Sequence, residues 1–331
     1  MTRRRSAPLA ALAAAGLLVL AGCSANAGGD GGSGGASVDE DPQPAFVIDE
    51  DFPDPDVIAV GGTYYAYATN TPAVNVQYAT SSDLETWDVS RNDVFPDLPA
   101  WADTGRTWAP DVTQLPDGRF ALYFTAQESS SGRQCIGVAV SAAPTGPFVS
   151  DAPAPLICPL DEGGAIDASS FIDDDGNRYL AWKNDGNCCG LDTWLRLSTL
   201  SADGLSVVGE PVDLVKQTEE WEGNLVEAPV IVRHGDEYAL FYSANDYGGE
   251  GYAMGYALAP SVAGPYAKAD EPLFTTTMSG SRALGPGGQD IVVAPDGSDR
   301  IVYHSWDPAF SYRGMSVSNL DWSDDRPVVE P

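Results

Sequence analysis

The stretch PDPDVIAVGGTYYAYAT, residues 53–69, has three counterparts further along the chain. They are PDVTQLPDGRFALYFTA (110–126), DASSFIDDDGNRYLAWKND (167–185) and EAPVIVRHGDEYALFYSAN (227–245). Each carries an acid near its start (Asp54, Asp111, Asp167, Glu227), then apolar residues, a Gly-containing turn and an aromatic-rich run. The acids stand about 56 to 60 residues apart, a period that marks repeated supersecondary units. Turn pairs fall between the first and second strand of each unit: Gly61-Gly62, Asp117-Gly118, Asp175-Gly176, Gly235-Asp236 and, in a fifth unit, Asp296-Gly297. Runs such as Tyr64–Tyr67, Ala121–Phe124, Tyr179–Trp182 and Ala239–Tyr242 favour strands, and a 3.6-residue apolar period is largely missing. The last unit runs from about Gly285 through Ile301–His304 to Trp322. The expected fold is all-β, a five-bladed β-propeller. If the first strand of each unit is innermost, the acids converge on the axis at one equivalent position per blade.

The chain begins with an address. Arg3, Arg4 and Arg5 precede an apolar run from Ala7 to Leu20, and then Leu20-Ala21-Gly22-Cys23. The run is too short for an ordinary membrane span and ends at small residues. LAGC resembles a bacterial lipobox. Residues 1–22 therefore read as a lipoprotein signal peptide, with lipid on the Cys23 sulfur. Residues 23–45, rich in Gly, Ser and Asp, read as a flexible tether, and 46–331 as one propeller domain. The protein is expected to be exported, lipid-anchored on the outer face of the cell membrane or secreted, and monomeric, touching membrane only through the lipid.

The 331 residues include 17 Lys+Arg against 48 Asp+Glu, a formal net charge of −31. Such a surface repels nucleic acid and anionic membranes and is a poor guide for a polyanionic substrate; a neutral glycan fits better. Beyond Cys23 there are four cysteines. Cys135–Cys158 is the expected disulfide, and a vicinal Cys188–Cys189 bridge is the weaker expectation. The cysteine spacing and the presence of only His234 and His304 disfavour a zinc site. Converging carboxylates in an all-β frame suit glycosidic-bond chemistry.

Several segments resemble glycoside hydrolase family 43: FPDPDVI (52–58), WAPDV (108–112), AIDASSFIDDDGNRYL (165–180), EAP (227–229) and YHSWD (303–307). SSDLETW (81–87) and RGMSVSNLDW (313–322) are similar to further family segments. Their order and placement span nearly the whole domain. The resemblance implies a five-bladed propeller with its active site at one mouth of the channel, cleaving arabinofuranosyl or xylosyl linkages with inversion. It implies Asp54 as general base, Glu227 as general acid and Asp167 as the carboxylate that orients the acid and raises its pKa. Inversion independently requires such a pair, with the carboxyls roughly 6.5–9.5 Å apart to admit water. The implied activity is an α-L-arabinofuranosidase, with an endo-1,5-α-L-arabinanase or a β-xylosidase as alternatives. Pentose-containing polysaccharides or oligosaccharides are the expected partners. The signatures of the retaining fructosyl-transferring clan are missing, and the intact acids oppose a third reading, a non-catalytic glycan-binding surface lipoprotein.

Other positions are less decided. Asp56 shares a strand face with Asp54 unless a bulge separates them. Asp173, Asp174 and Asp175 read as a solvated turn. Asp111 either contacts sugar or holds a strand end. Trp108, Trp221 and Trp306 are candidate sugar-stacking platforms, since sugars present C–H faces to aromatic rings. Trp87 and Trp322 read as structural. Where many family endo-arabinanases carry a Gly-His pair this chain has Gly287-Gly288-Gln289-Asp290, so Gln289 or Asp290 is expected at the fifth channel position. By the same resemblance His304 is a possible ligand of a structural calcium in the channel, with a core histidine as the alternative, and Arg313 approaches the base and the sugar. No cofactor is expected for the chemistry.

Overall fold

A computed structural model describes residues 45–330, which lie in a single compact unit; the expected signal peptide, Cys23 and the tether up to residue 44 lie outside the described residues. Nineteen strands form five antiparallel sheets, each a meander in chain order. Blade 1 contains β1 (Asp56–Val60), β2 (Thr63–Ala68), β3 (Gln77–Ser81) and β4 (Asp88–Val89). Blade 2 has three strands, β5 (Trp108–Gln114), β6 (Phe120–Gln127) and β7 (Gln134–Ser141). Blade 3 contains β8 (Ala165–Ile172), β9 (Arg178–Asn184), β10 (Trp194–Leu200) and β11 (Val207–Lys216). Blade 4 is β12 (Val226–His234), β13 (Glu237–Ala244), β14 (Ala253–Ala259) and β15 (Ala267–Lys268). Blade 5 is β16 (Leu284–Val293), β17 (Asp299–Trp306), β18 (Arg313–Ser323) and β19 (Arg326–Glu330). The described residues hold no α-helix, only three short 3-10 turns. Every expected turn pair joins the first two strands of its blade.

The core is divided as a propeller requires. Five apolar clusters fill the five blade-to-blade interfaces, for example Tyr67, Val112 and Phe124 between blades 1 and 2, and Val57, Val302 and Met315 between blades 5 and 1. Each fully buried Phe, Leu or Ile contributes about 1.5–3 kcal/mol over its exposed state, so the ring is held by many interfaces and by no single centre. Blade 1 meets blade 5 through more than side chains. The backbone of Val47 and Ile48 pairs with Met315, and the Phe52 N–H donates to the Arg313 carbonyl at 2.9 Å. Cys135 is bonded to Cys158 across a Cα separation of 4.8 Å, beside the Ile136–Ile157 bridge, and Cys188 is bonded to Cys189.

The innermost strands share one irregularity. Their backbone turns left-handed at an equivalent place in each blade, at Asp54 (φ 54°), Ala109 (40°), Asp167 (56°), Ala228 (50°) and Gly288 (56°), and blade 5 adds a second such residue at Gly285 (57°). In blades 2 to 5 the strand pairing slips across this residue, as a β-bulge demands. These five residues are the equivalent positions, and the expectation of one acid at one position is corrected accordingly. Asp54 and Asp167 occupy the bulge. Glu227 precedes it by one residue, and Asp111 follows it by two, in line with Asp56 and Asp290.

Candidate active site

The bulge sorts the acids into two groups. Because a strand alternates its side chains, a left-handed residue changes which face its neighbours present. Of Asp56, Asp111 and Asp290, each two residues past the bulge, the first two are buried and Asp290 is half-buried. Two of them hold the next blade: Asp56 accepts from the Val112 N–H (2.9 Å) and Asp111 from the Ser170 N–H (2.9 Å). Asp290 accepts from the Val57 N–H (2.8 Å) and so links blade 5 to blade 1. Burial, then mutual repulsion, pushes Asp56 well above the carboxylate range. Burial likewise raises Asp111 to about 6 and Asp290 to about 7. The role left open for Asp111 thus includes a blade-to-blade hydrogen bond.

Both groups line a cavity of about 650 Å³ at the channel mouth, the second group of Asp54, Asp167 and Glu227 together with Trp108, Lys183, Tyr252 and Arg313. Asp54 Oδ2 accepts from the Thr69 hydroxyl (2.6 Å), and its Oδ1 lies 3.4 Å from Arg313 Nη1. His304 Nδ1 stands 3.1 Å from the Asp54 N–H and 3.2 Å from its Oδ1, while Nε2 faces Arg313 at 3.4 Å. Burial opposes the charge on Asp54, but Arg313, His304 and Thr69 outweigh it and hold the carboxyl far below its usual range. Arg313, expected near the base, is there, and it also lies 5.1 Å from the Tyr247 ring and 5.8 Å from the Trp306 ring.

His304 is a buried core histidine. Both ring nitrogens are engaged, a guanidinium lies beside the ring, and burial followed by Arg313 lowers its pKa. Among the described residues no group of three or more His, Cys, Asp or Glu is arranged for a metal ion. Gly288 makes room for this histidine. A Cβ there would sit 2.6 Å from the His304 ring and 2.9 Å from Asp54 Oδ1. The fifth bulge position is therefore glycine, while Gln289 and Asp290, expected at the fifth channel position, both line the cavity. Gln289 lines the cavity, yet its amide is spent within the protein, accepting from Ser243 Oγ (2.7 Å) and donating to the Ala228 carbonyl (2.7 Å).

Opposite Asp54, Glu227 is gripped at both oxygens. Tyr252 donates to Oε1 (2.7 Å) and Lys183 Nζ to Oε2 (3.1 Å). Lys183 is wholly buried and also lies 3.7 Å from Asp185 Oδ1. Asp167 accepts from the Ala228 N–H at 3.0 Å. Burial, then the charge of Glu227, pushes Asp167 up to about 8.

The tryptophans divide. Trp108 lines the cavity. Trp221 does not; it stacks on Tyr242 (6.0 Å) with its ring nitrogen buried. Trp306 donates to the Tyr247 carbonyl (2.7 Å) and supports the rim. Thr69, Lys183, Asp185, Tyr247 and Tyr252 escaped the reading of the sequence. Only Lys183 carried a signal there, as a lone cation in the apolar run Tyr179–Trp182 and its sequel. Asp174 meets Arg233 at the exposed turn expected for residues 173–175.

Residues 44–327 match the model of glycosyl hydrolases family 43. The chain is 31% identical over 247 residues to an extracellular endo-α-(1→5)-L-arabinanase of Thermotoga petrophila, covering 64% of this chain and half of that enzyme's length. It is 25% identical over 287 residues to extracellular endo-α-(1→5)-L-arabinanase 1 of Bacillus subtilis, covering 82% and 85%. An extracellular exo-α-(1→5)-L-arabinofuranosidase of Cellvibrio japonicus is 27% identical, covering 82% and 84%. Among solved structures, a thermostable family-43 glycoside hydrolase superposes with a TM-score of 0.74 at 28% identity, covering 85% of this chain and 93% of that one. Fold, acid-lined mouth and family match agree: this chain is a glycoside hydrolase of family 43.

Proposed function

We propose that the protein hydrolyses α-1,5-arabinofuranosyl linkages of arabinan with inversion of the anomeric centre. The observation that carries this is the polarised cavity, where a carboxylate held ionised by Arg313 shares one space with a carboxyl pair that retains a proton. Asp54 takes the proton of an attacking water. Glu227, in its protonated form, gives its proton to the leaving oxygen as the glycosidic bond breaks, with Asp167 beside it on the adjacent Ala228 N–H. The α-arabinofuranosidase reading and the endo-arabinanase reading share this chemistry. The names of the Thermotoga and Bacillus relatives favour the endo form, and that of the Cellvibrio relative the exo form. Those relatives are named extracellular, which supports export of this chain; its lipid anchor at Cys23 is proposed from the LAGC sequence alone.

The test is product analysis on debranched arabinan, with arabinoxylan and aryl pentosides alongside. A ladder of arabino-oligosaccharides means endo action and arabinose alone means exo action. NMR of the first-formed sugar must show inverted configuration; retention removes Asp54 from its role. kcat/KM should fall above about pH 8 as Asp167 gives up its proton, and should persist well into acid because Asp54 stays ionised there.

A further inference from the structure

The geometry points to the loop between β9 and β10, with its vicinal Cys188–Cys189 disulfide, as the wall of an aglycone subsite that receives the pentose on the leaving side of the scissile bond. This rests on the inverting reading above. In an inverting displacement water enters from the side of the base and the leaving group departs toward the acid. The residues leading into the loop stand on the acid's side: Lys183 contacts Glu227 and Asp185, and Asp185 and Asn187 both line the cavity. The chain that continues past Asn187 therefore leaves the cavity where the aglycone must lie.

The loop is built to hold a shape. Gly186 is buried, and a Cβ there would meet the Asp192 carbonyl oxygen at 2.3 Å. The buried Asn184 side chain ties the loop's two ends, donating to the carbonyls of Glu162 (3.2 Å) and Asp192 (3.1 Å). Arg133, from blade 2, sets Nη1 3.1 Å from the Cys188 sulfur and 2.7 Å from that of Cys189. Yet Asn187, Cys188 and Cys189 are exposed, and so is Leu191 at 46%. A fixed loop that presents an amide, two polarizable sulfurs and a leucine offers a pentofuranose what it needs, hydrogen bonds for hydroxyls and soft apolar contact for a C–H face. Preorganisation spares the ordering cost that a mobile loop would add to binding. The mechanism gives this disulfide no other task.

The test compares the full-length oxidised protein with Cys188→Ala/Cys189→Ala and with Asn187→Ala, on arabinotetraose and on an aryl arabinofuranoside that has no second pentose. The ratio of kcat/KM between the two substrates should fall about tenfold in each variant, carried by KM. An unchanged ratio overturns the subsite, whether both activities fall together or neither does. Calorimetric binding of arabinotetraose in a Glu227→Gln background is the second measurement. Affinity should fall by a similar factor when the disulfide is removed, and unchanged affinity refutes the proposal even if the aryl assay agrees. Wild-type inactivity on every pentose glycan would sink the proposed function instead, and the binding measurement would still judge the subsite.

Discussion

Replacing Lys183 with Met is the most informative perturbation of this site. The ammonium is fully buried, 3.1 Å from Glu227 Oε2 and 3.7 Å from Asp185 Oδ1. Burial alone would lower its pKa, but Glu227, Asp167 and Asp185 more than reverse that and raise it. Methionine keeps most of the volume and removes the charge, leaving three carboxyl groups around an apolar tip. Breaking a buried pair from one side costs about 3–5 kcal/mol, because the remaining charge stays desolvated. For a large single domain this is roughly a 6–20 °C drop in melting temperature. The deficit must depend on pH. Glu227 and Asp185 can each relieve the loss by taking up a proton, so it should be greatest near pH 8.5 and shrink toward pH 5. The same protonation should move the alkaline limb of kcat/KM upward. Differential scanning calorimetry of both proteins across that range, with pH–rate profiles, checks this. A deficit equal at pH 5 and pH 8.5 would show that Lys183 acts by packing alone and would refute the electrostatic reasoning.

The carboxyls of Asp111 and Asp290 are raised to about 6 and about 7 in the folded protein, so the folded chain binds more protons than the unfolded one between about pH 4 and 7. Their stabilisation is complete below pH 4 and is lost as pH rises through 6 to 7. Asp290→Asn should therefore flatten the fall in melting temperature between pH 5 and 8, and a variant whose melting temperature falls as steeply as wild type contradicts this. Gly288→Ala places a methyl 2.6 Å from the His304 ring at a left-handed backbone position. Strain of this kind costs about 1–3 kcal/mol, and it should displace Asp54 and cut kcat; an alanine variant with wild-type kcat would disprove the packing argument.

The blade count, the hairpin turns and the identity of Asp54, Asp167 and Glu227 were legible because they are local. Turn residues and alternating strands act within a few positions of the chain, and Asp117-Gly118 reads as a turn wherever it stands. The register of the acids was not legible. It depends on a left-handed residue in each inner strand, and Ala109 and Ala228 give no sequence sign of adopting one. The place of the bulge in blade 5 has the same origin: it falls on Gly288, just ahead of the cavity-lining Gln289 and Asp290, where only a missing side chain accommodates His304.

The sequence by itself determined a five-bladed all-β frame, an acidic mouth and the family, since repeats and short motifs record local geometry. Only the tertiary structure decided which charges meet. His304 reaches Asp54 across 250 residues of chain, and Lys183 reaches Glu227 across 44. Closure of the ring brings those partners together. Their burial there decides which carboxyl is ionised and which keeps its proton, because desolvation and Coulomb energy depend on distance in space and not on separation along the chain.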